Sequence, residues 1–143
     1  MANNFEKLLE DVSTKAPRRI WARPKGPLYD CVKQLKENYD FSHLCTITGV
    51  ENGENFEILY HLAQEGTGNL LTVRDITPIE GAKIKSISDL FPSAVWYERE
   101  LDDLFGIKVE GLPPGNRYPL PDDWPAGDHP LRKNWHSSPA EVK

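Results

Sequence analysis

Apolar residues at Phe5, Leu8, Leu9 and Val12 fall at i, i+3, i+4 and i+7, so the chain is expected to open with a short amphipathic helix. A basic segment follows, in which Arg18, Arg19 and Arg23 are interleaved with Ile20 and Trp21; it reads as a short strand. Leu28, Cys31, Val32, Leu35 and Tyr39 return to helical spacing and predict a helix over about 26–38. Pro27 falls near its first turn, where a missing N–H costs nothing. Three strand-like runs come next. Phe41 to Val50 is rich in apolar and β-branched residues, Phe56 to Ala63 alternates, and Asn69 to Thr77 forms a third run closed by Pro78. Asn52-Gly53 is the dipeptide of a type I′ turn, so the first two runs are expected to form a hairpin and all three an antiparallel meander. Residues 84–91 read as a short helix ending at Pro92. Ser93 then suits an N-cap. Ala94, Tyr97, Leu101, Leu104 and Phe105 share the apolar stripe of a further helix, which Gly106 stops.

Composition changes this picture after residue 110. Residues 111–143 hold seven of the 12 prolines, and such a segment builds neither helices nor the interior of a sheet. The chain is therefore read as an α+β unit over 1–110, two-layered, with helices on a small and largely antiparallel sheet, followed by an extended arm over 111–143. At up to ~3.3 Å per residue the arm reaches at most about 100 Å. It is either a solvated tail or a segment that docks on a partner. Its anchors, Leu112, Tyr118, Leu120, Trp124, Leu131 and Trp135, favour docking, because aromatic residues buried in a partner's pockets carry much of an interface's energy. Proline lowers the entropy lost when such an arm settles. The run His129-Pro130-Leu131-Arg132-Lys133 adds two fixed positive charges near its end.

Charge narrows the classes. A net charge of −5 and a pI of about 5.4 give no reason to expect nucleic-acid binding. No apolar run approaches the ~20 residues of a membrane helix. Residues 1–13 contain no apolar h-region, so no secretory signal is expected. Cys31 and Cys45 then read as buried thiols of a reducing cytosol.

The run Glu98-Arg99-Glu100-Leu101-Asp102-Asp103 carries four acids and one base. Glu98 and Asp102 are a like-charge i, i+4 pair, and Asp102 and Asp103 lie where the helix dipole disfavours negative charge. Arg99 is positioned to reach Asp103 and offset part of that cost. Three readings stand together: a solvated charged face, a docking surface whose partner supplies Arg or Lys, and a carboxylate pair for acid–base hydrolysis, which needs a pocket and pKa values pushed apart. Elsewhere the chemistry of an enzyme is missing. His43, His61, His129 and His136 have no metal-ligand spacing, two cysteines are too few for an iron–sulfur cluster, and no GxGxxG, P-loop or GxSxG pattern occurs.

The stretch 92–135 resembles the 30 kDa subunit family of respiratory complex I. In that family Glu-Arg-Glu is followed after two residues by Asp, an apolar residue, Phe and Gly; here these are Glu98, Arg99, Glu100, Asp103, Leu104, Phe105 and Gly106. Downstream the family shows Gly-His-Pro-Asp, a double arginine, Pro-Asp-Asp-Trp and Gly-His-Pro-Leu-Arg-Lys. This chain keeps Gly111, Pro113, Arg117, Pro121, Asp122, Asp123, Trp124 and Gly127, then, after one extra residue, His129, Pro130, Leu131, Arg132 and Lys133. It departs at Leu112, Pro114 and Asn116, where the family has His, Asp and Arg. Those departures, with the short stretch after Trp135, favour the related subunit of membrane-bound energy-converting [NiFe] hydrogenases over complex I itself.

The resemblance implies a non-catalytic subunit at the cytoplasmic face of the cell membrane, on the peripheral arm of a redox-driven ion pump, touching the membrane only through other subunits. Its expected partners are a large subunit, of nickel or quinone-site type, and a small iron–sulfur subunit. The iron–sulfur clusters and any [NiFe] centre belong to those partners, and this chain carries none. The expected docking residues are Glu98, Arg99, Glu100, Asp102, Asp103, Gly106, Arg117, Tyr118, Trp124, His129, Pro130, Leu131, Arg132, Lys133 and Trp135.

Overall fold

The computed structural model describes residues 4–136; residues 1–3 and the end of the arm, 137–143 with Pro139, lie outside the described residues. A 3-10 turn, Asn4–Leu8, leads into strand β1 (Leu9–Ala16), which pairs antiparallel with β2 (Arg19–Pro24). Helix α1 (Leu28–Tyr39) follows, then β3 (His43–Asn52), β4 (Asn55–Ala63) and β5 (Leu70–Pro78) as the expected antiparallel meander. β2 lies parallel to β5, which gives a five-stranded sheet of order β1-β2-β5-β4-β3. A second small sheet joins β6 (Lys83–Lys85) in parallel to β7 (Lys108–Glu110), and helix α2 (Ala94–Phe105) lies between them in the chain.

One core cluster holds the architecture together. Ile20, Ala22, Leu44, Ile47, Phe56, Ile58, Tyr60, Leu62, Leu71 and Val73 of the sheet meet Leu28, Val32 and Leu35 of α1 and Ala94, Leu101 and Phe105 of α2. Along β4 and β5 these residues recur at every second position, as burial of one sheet face requires. α2 comes unusually close to β3. A Cβ built on Gly49 would lie 2.8 Å from Leu101 Cδ2 and 2.9 Å from Phe105 Cε2, so the absent side chain is what lets the helix settle on the strand. The ring of Phe105 meets that of Phe56 edge-on at 5.6 Å. Among the described residues no helix is long and apolar enough to cross a membrane.

Four local expectations are corrected. The opening helix is absent: Phe5 and Leu9 are buried, but Leu9 begins β1 and Val12 is exposed. An isolated helix of three turns or fewer is marginal in water, and pairing with β2 outweighs it here. Register shifts near Asp11, whose φ is 53°, mark bulges in that edge strand. Residues 84–91 are not a helix either. Lys83–Lys85 pairs with β7, and the serines beyond it hydrogen-bond locally instead of continuing a helix. The β3–β4 turn is Gly53-Glu54, closed by the pair Asn52 and Asn55; only Gly53 has positive φ, at 67°, so it is not the type I′ turn that Asn52-Gly53 suggests. Ser93 precedes α2 but has helical φ and ψ, and its hydroxyl makes no capping bond.

Candidate functional site

The acidic run of α2 is divided between two environments. Ala94, Glu98, Leu101 and Phe105, spaced 4, 3 and 4, form its buried stripe, so Glu98 belongs to the core face despite its charge. Its carboxylate accepts hydrogen bonds from Ser86 Oγ at 2.8 Å and from the Ile87 N–H at 3.0 Å. Burial pushes its pKa above the ordinary glutamate value, and those two bonds pull it back in part.

Asp103, also buried, faces the proline-rich segment. One carboxylate oxygen accepts from Arg117 Nε at 3.1 Å and the other from the Leu120 N–H at 3.1 Å. Arg117 in turn donates to the Trp124 carbonyl at 2.6 Å. Asp102 and Glu100 take no part in this network. Burial and the neighbouring Asp103 raise the Asp102 pKa, with His129 and Arg117 opposing. The expected Arg99–Asp103 bridge does not form. Arg99 donates to the carbonyls of Pro113 and Pro114, each at 3.3 Å, and its guanidinium lies 5.4 Å from the ring of Trp96. Glu98 and Asp103 are thus held apart by different partners, the first by the turn after β6 and the second by the arm.

The arm closes over the C-terminus of α2. A helix leaves its last carbonyls without internal donors. Here His129 Nδ1 donates to the Asp103 carbonyl at 2.9 Å, the Leu131 N–H to Leu104 at 2.9 Å and Arg132 Nε to Phe105 at 2.6 Å. Gly106, at φ 75°, ends the helix. A Cβ on it would lie 2.5 Å from the His129 ring, so glycine is required both by the backbone and by the arm above it. Lys133 reaches β3 through its N–H, 3.2 Å from Glu51 Oε1. The indole N–H of Trp124 donates to the Asp128 carbonyl at 2.8 Å, and that of Trp135 to the Asp128 carboxylate.

The structure therefore brings Asp103, Gly106, Arg117, Trp124, His129, Leu131, Arg132, Lys133 and Trp135 together on their own chain, as a clasp around the end of α2. Of the apolar anchors among the expected docking residues, this leaves outward Tyr118, 42% exposed, and Leu131, 50% exposed; the charged Asp102 and Lys133 are exposed as well. Trp96, which sequence reasoning passed over, is 54% exposed and meets Tyr118 edge-on at 5.4 Å. Its signal was available: it is a tryptophan on α2 that falls off the apolar stripe. Among the described residues no group of three His, Cys, Asp or Glu could hold a metal ion.

Comparison with known proteins decides the family. Residues 22–141 match the family described as respiratory-chain NADH dehydrogenase, 30 kDa subunit. The chain belongs to this 30 kDa subunit family. A subunit of the F(420)H(2) dehydrogenase of Methanosarcina mazei is 30% identical over 142 residues, covering 97% of this chain and 89% of that protein. Hydrogenase-4 component G of Escherichia coli is 37% identical over 81 residues, which are 56% of this chain but 15% of that much longer polypeptide. Among solved structures, a chain of the membrane-bound sulfane sulfur reductase, an archaeal respiratory membrane complex, superposes with a TM-score of 0.81 at 26% identity, covering 93% of this chain and 82% of the other. Sequence of this 30 kDa type thus occurs both near full length and as a small part of a larger chain.

Proposed function

We propose that this chain is a bracing subunit on the peripheral, cytosolic arm of a membrane-bound redox-driven ion pump, with an energy-converting [NiFe] hydrogenase as the favoured branch. The observation that carries the reading is how relatives package the sequence. In hydrogenase-4 component G the matched stretch is 15% of one polypeptide. We take the large subunit, with the small iron–sulfur subunit beside it, to be what this segment packs against. The partners hold the iron–sulfur and any nickel–iron centres, and membrane contact passes through them. The family departures at Leu112, Pro114 and Asn116 support the hydrogenase branch. The second reading, a complex I-type dehydrogenase, is supported by the match to the F(420)H(2) dehydrogenase protein over 97% of this chain.

The docking surface in this proposal is the outer side of the clasp, with Trp96, Tyr118 and Leu131 as the anchors left exposed, flanked by Glu100 and Asp102. Tagged protein recovered from detergent-solubilised membranes of the source should bring a large subunit and iron–sulfur subunits with it, and nickel in the eluate assigns the hydrogenase branch. Recovery of this chain alone in the soluble fraction overturns the proposal. Trp96→Ala should lower recovery of the large subunit about tenfold, the scale of an interface tryptophan, while the loss of its contacts with Tyr118 and Arg99 should lower the melting temperature of the isolated chain by only about 2–4 °C.

A further inference from the structure

We propose that Glu98 is a proton-binding site inside the core, which exchanges with solvent through the hydroxyls of Ser86 and Ser88 without unfolding. Exposure falls step by step along this path. Ser88 is half-buried, Ser86 5% exposed and Glu98 fully buried. Ser86 Oγ lies 2.8 Å from Ser88 Oγ and 2.8 Å from Glu98 Oε1, so the two hydroxyls and the carboxylate form one unbroken chain. Its outer end opens into a surface cleft of about 260 Å³ lined by Tyr29, Lys85, Ser86, Ser88, Asp89, Glu110 and Gly111.

Both protonation states satisfy the same heavy atoms. With Glu98 ionised, Ser86 donates to Oε1 and accepts from the Ser88 hydroxyl and from the Ser88 N–H, 3.1 Å away. With Glu98 protonated, its O–H donates to Ser86, and Ser86 donates to Ser88. A proton arriving from water at Ser88 displaces the Ser88 proton to Ser86 and the Ser86 proton to Oε1, so one proton enters and each hydroxyl keeps one. The Ile87 N–H stays on Oε2 throughout. The charged and titratable groups facing this carboxylate are Asp89 from the turn after β6, Tyr60 from β4 and, beyond Tyr60, Asp75 of β5. None supplies a positive charge. The Tyr60 hydroxyl is buried without a hydrogen-bond partner among the described residues, so the surroundings beyond Ser86 and Ile87 do little to hold the ionised form.

Glu98 titrates above the ordinary glutamate value of 4.5, so its share of stability is complete below that pH and is lost as pH rises through its raised pKa. The test is an infrared pH titration and pH-jump of the full chain, followed at the carboxyl C=O stretch. The parent should show a carboxyl band, absent in Glu98→Gln, that persists above the pH where exposed glutamates ionise. Ser88→Ala keeps the Ser86–Glu98 bond but cuts the path, so the midpoint should hold while the rate of appearance after a pH-jump falls at least about tenfold. Ser86→Ala should slow it similarly and raise the midpoint, because it removes a bond to the ionised form. A Glu98 band that titrates with the exposed carboxylates overturns the proposal, as does a Ser88→Ala protein that protonates as fast as the parent.

Discussion

Asp103→Ala should free the proline-rich segment from α2. The change removes the acceptor for both Arg117 Nε and the Leu120 N–H, and its side chain is 9% exposed against 28% for Arg117. Breaking a fully buried pair costs about 3–5 kcal/mol, but Arg117 can regain water once the segment lifts, so a loss of about 2–3 kcal/mol is expected in urea unfolding of the isolated chain. The local effect should be larger than the global one. Trypsin should cut around Arg132-Lys133 about tenfold faster than in the parent. Asp102→Ala is the matched control: that carboxylate is in none of the ion pairs of the described residues, and its raised pKa means that removing it relieves charge. Equal trypsin rates in the parent and Asp103→Ala would show that the clasp does not depend on this carboxylate.

Gly49→Val should destabilise the packing of α2 on the sheet. The first added carbon already meets Leu101 Cδ2 at 2.8 Å and Phe105 Cε2 at 2.9 Å, and both side chains are fixed in the core. Valine's preference for strands returns less than ~1 kcal/mol. Overpacking of this kind costs about 1–3 kcal/mol, and the branched side chain puts the expectation near the upper end. The denaturation midpoint and the near-ultraviolet circular dichroism of Phe56, Phe105 and the α2 aromatics should fall together. Val50→Ala, at a position 40% exposed on the same strand, should change neither by much. A Gly49→Val protein as stable as the parent would mean that the helix can slide on β3.

The elements that could be read from the sequence were those whose periodicity is carried by several large apolar residues: α1, the β3–β4–β5 meander and α2. β1 was not legible, because its apolar spacing fits a helix equally well and only its pairing with β2, which follows after two residues, decides between them. The turn after β6 was lost for a related reason: its serines are organised by Glu98, twelve residues away from Ser86. Glu98 itself was legible in position but not in kind, since it sits on the buried stripe and was read with its charged neighbours. The Asp103–Arg117 pair spans 14 residues and a change of composition, which no local pattern crosses. The family motif identified those residues together without saying that they hold one another.

The C-terminal carbonyls of α2 find their donors in His129, Leu131 and Arg132, some 26 or 27 residues later. Chemically this is a helix cap delivered from far down the chain, and it makes the two segments one cooperative opening unit. The Leu131 amide, which donates to the Leu104 carbonyl, should exchange with water only when the clasp releases, and the clasp should also slow fraying of the last turn of α2, so the hydrogen-exchange protection of a helix end reports in part on a segment that has no regular secondary structure of its own.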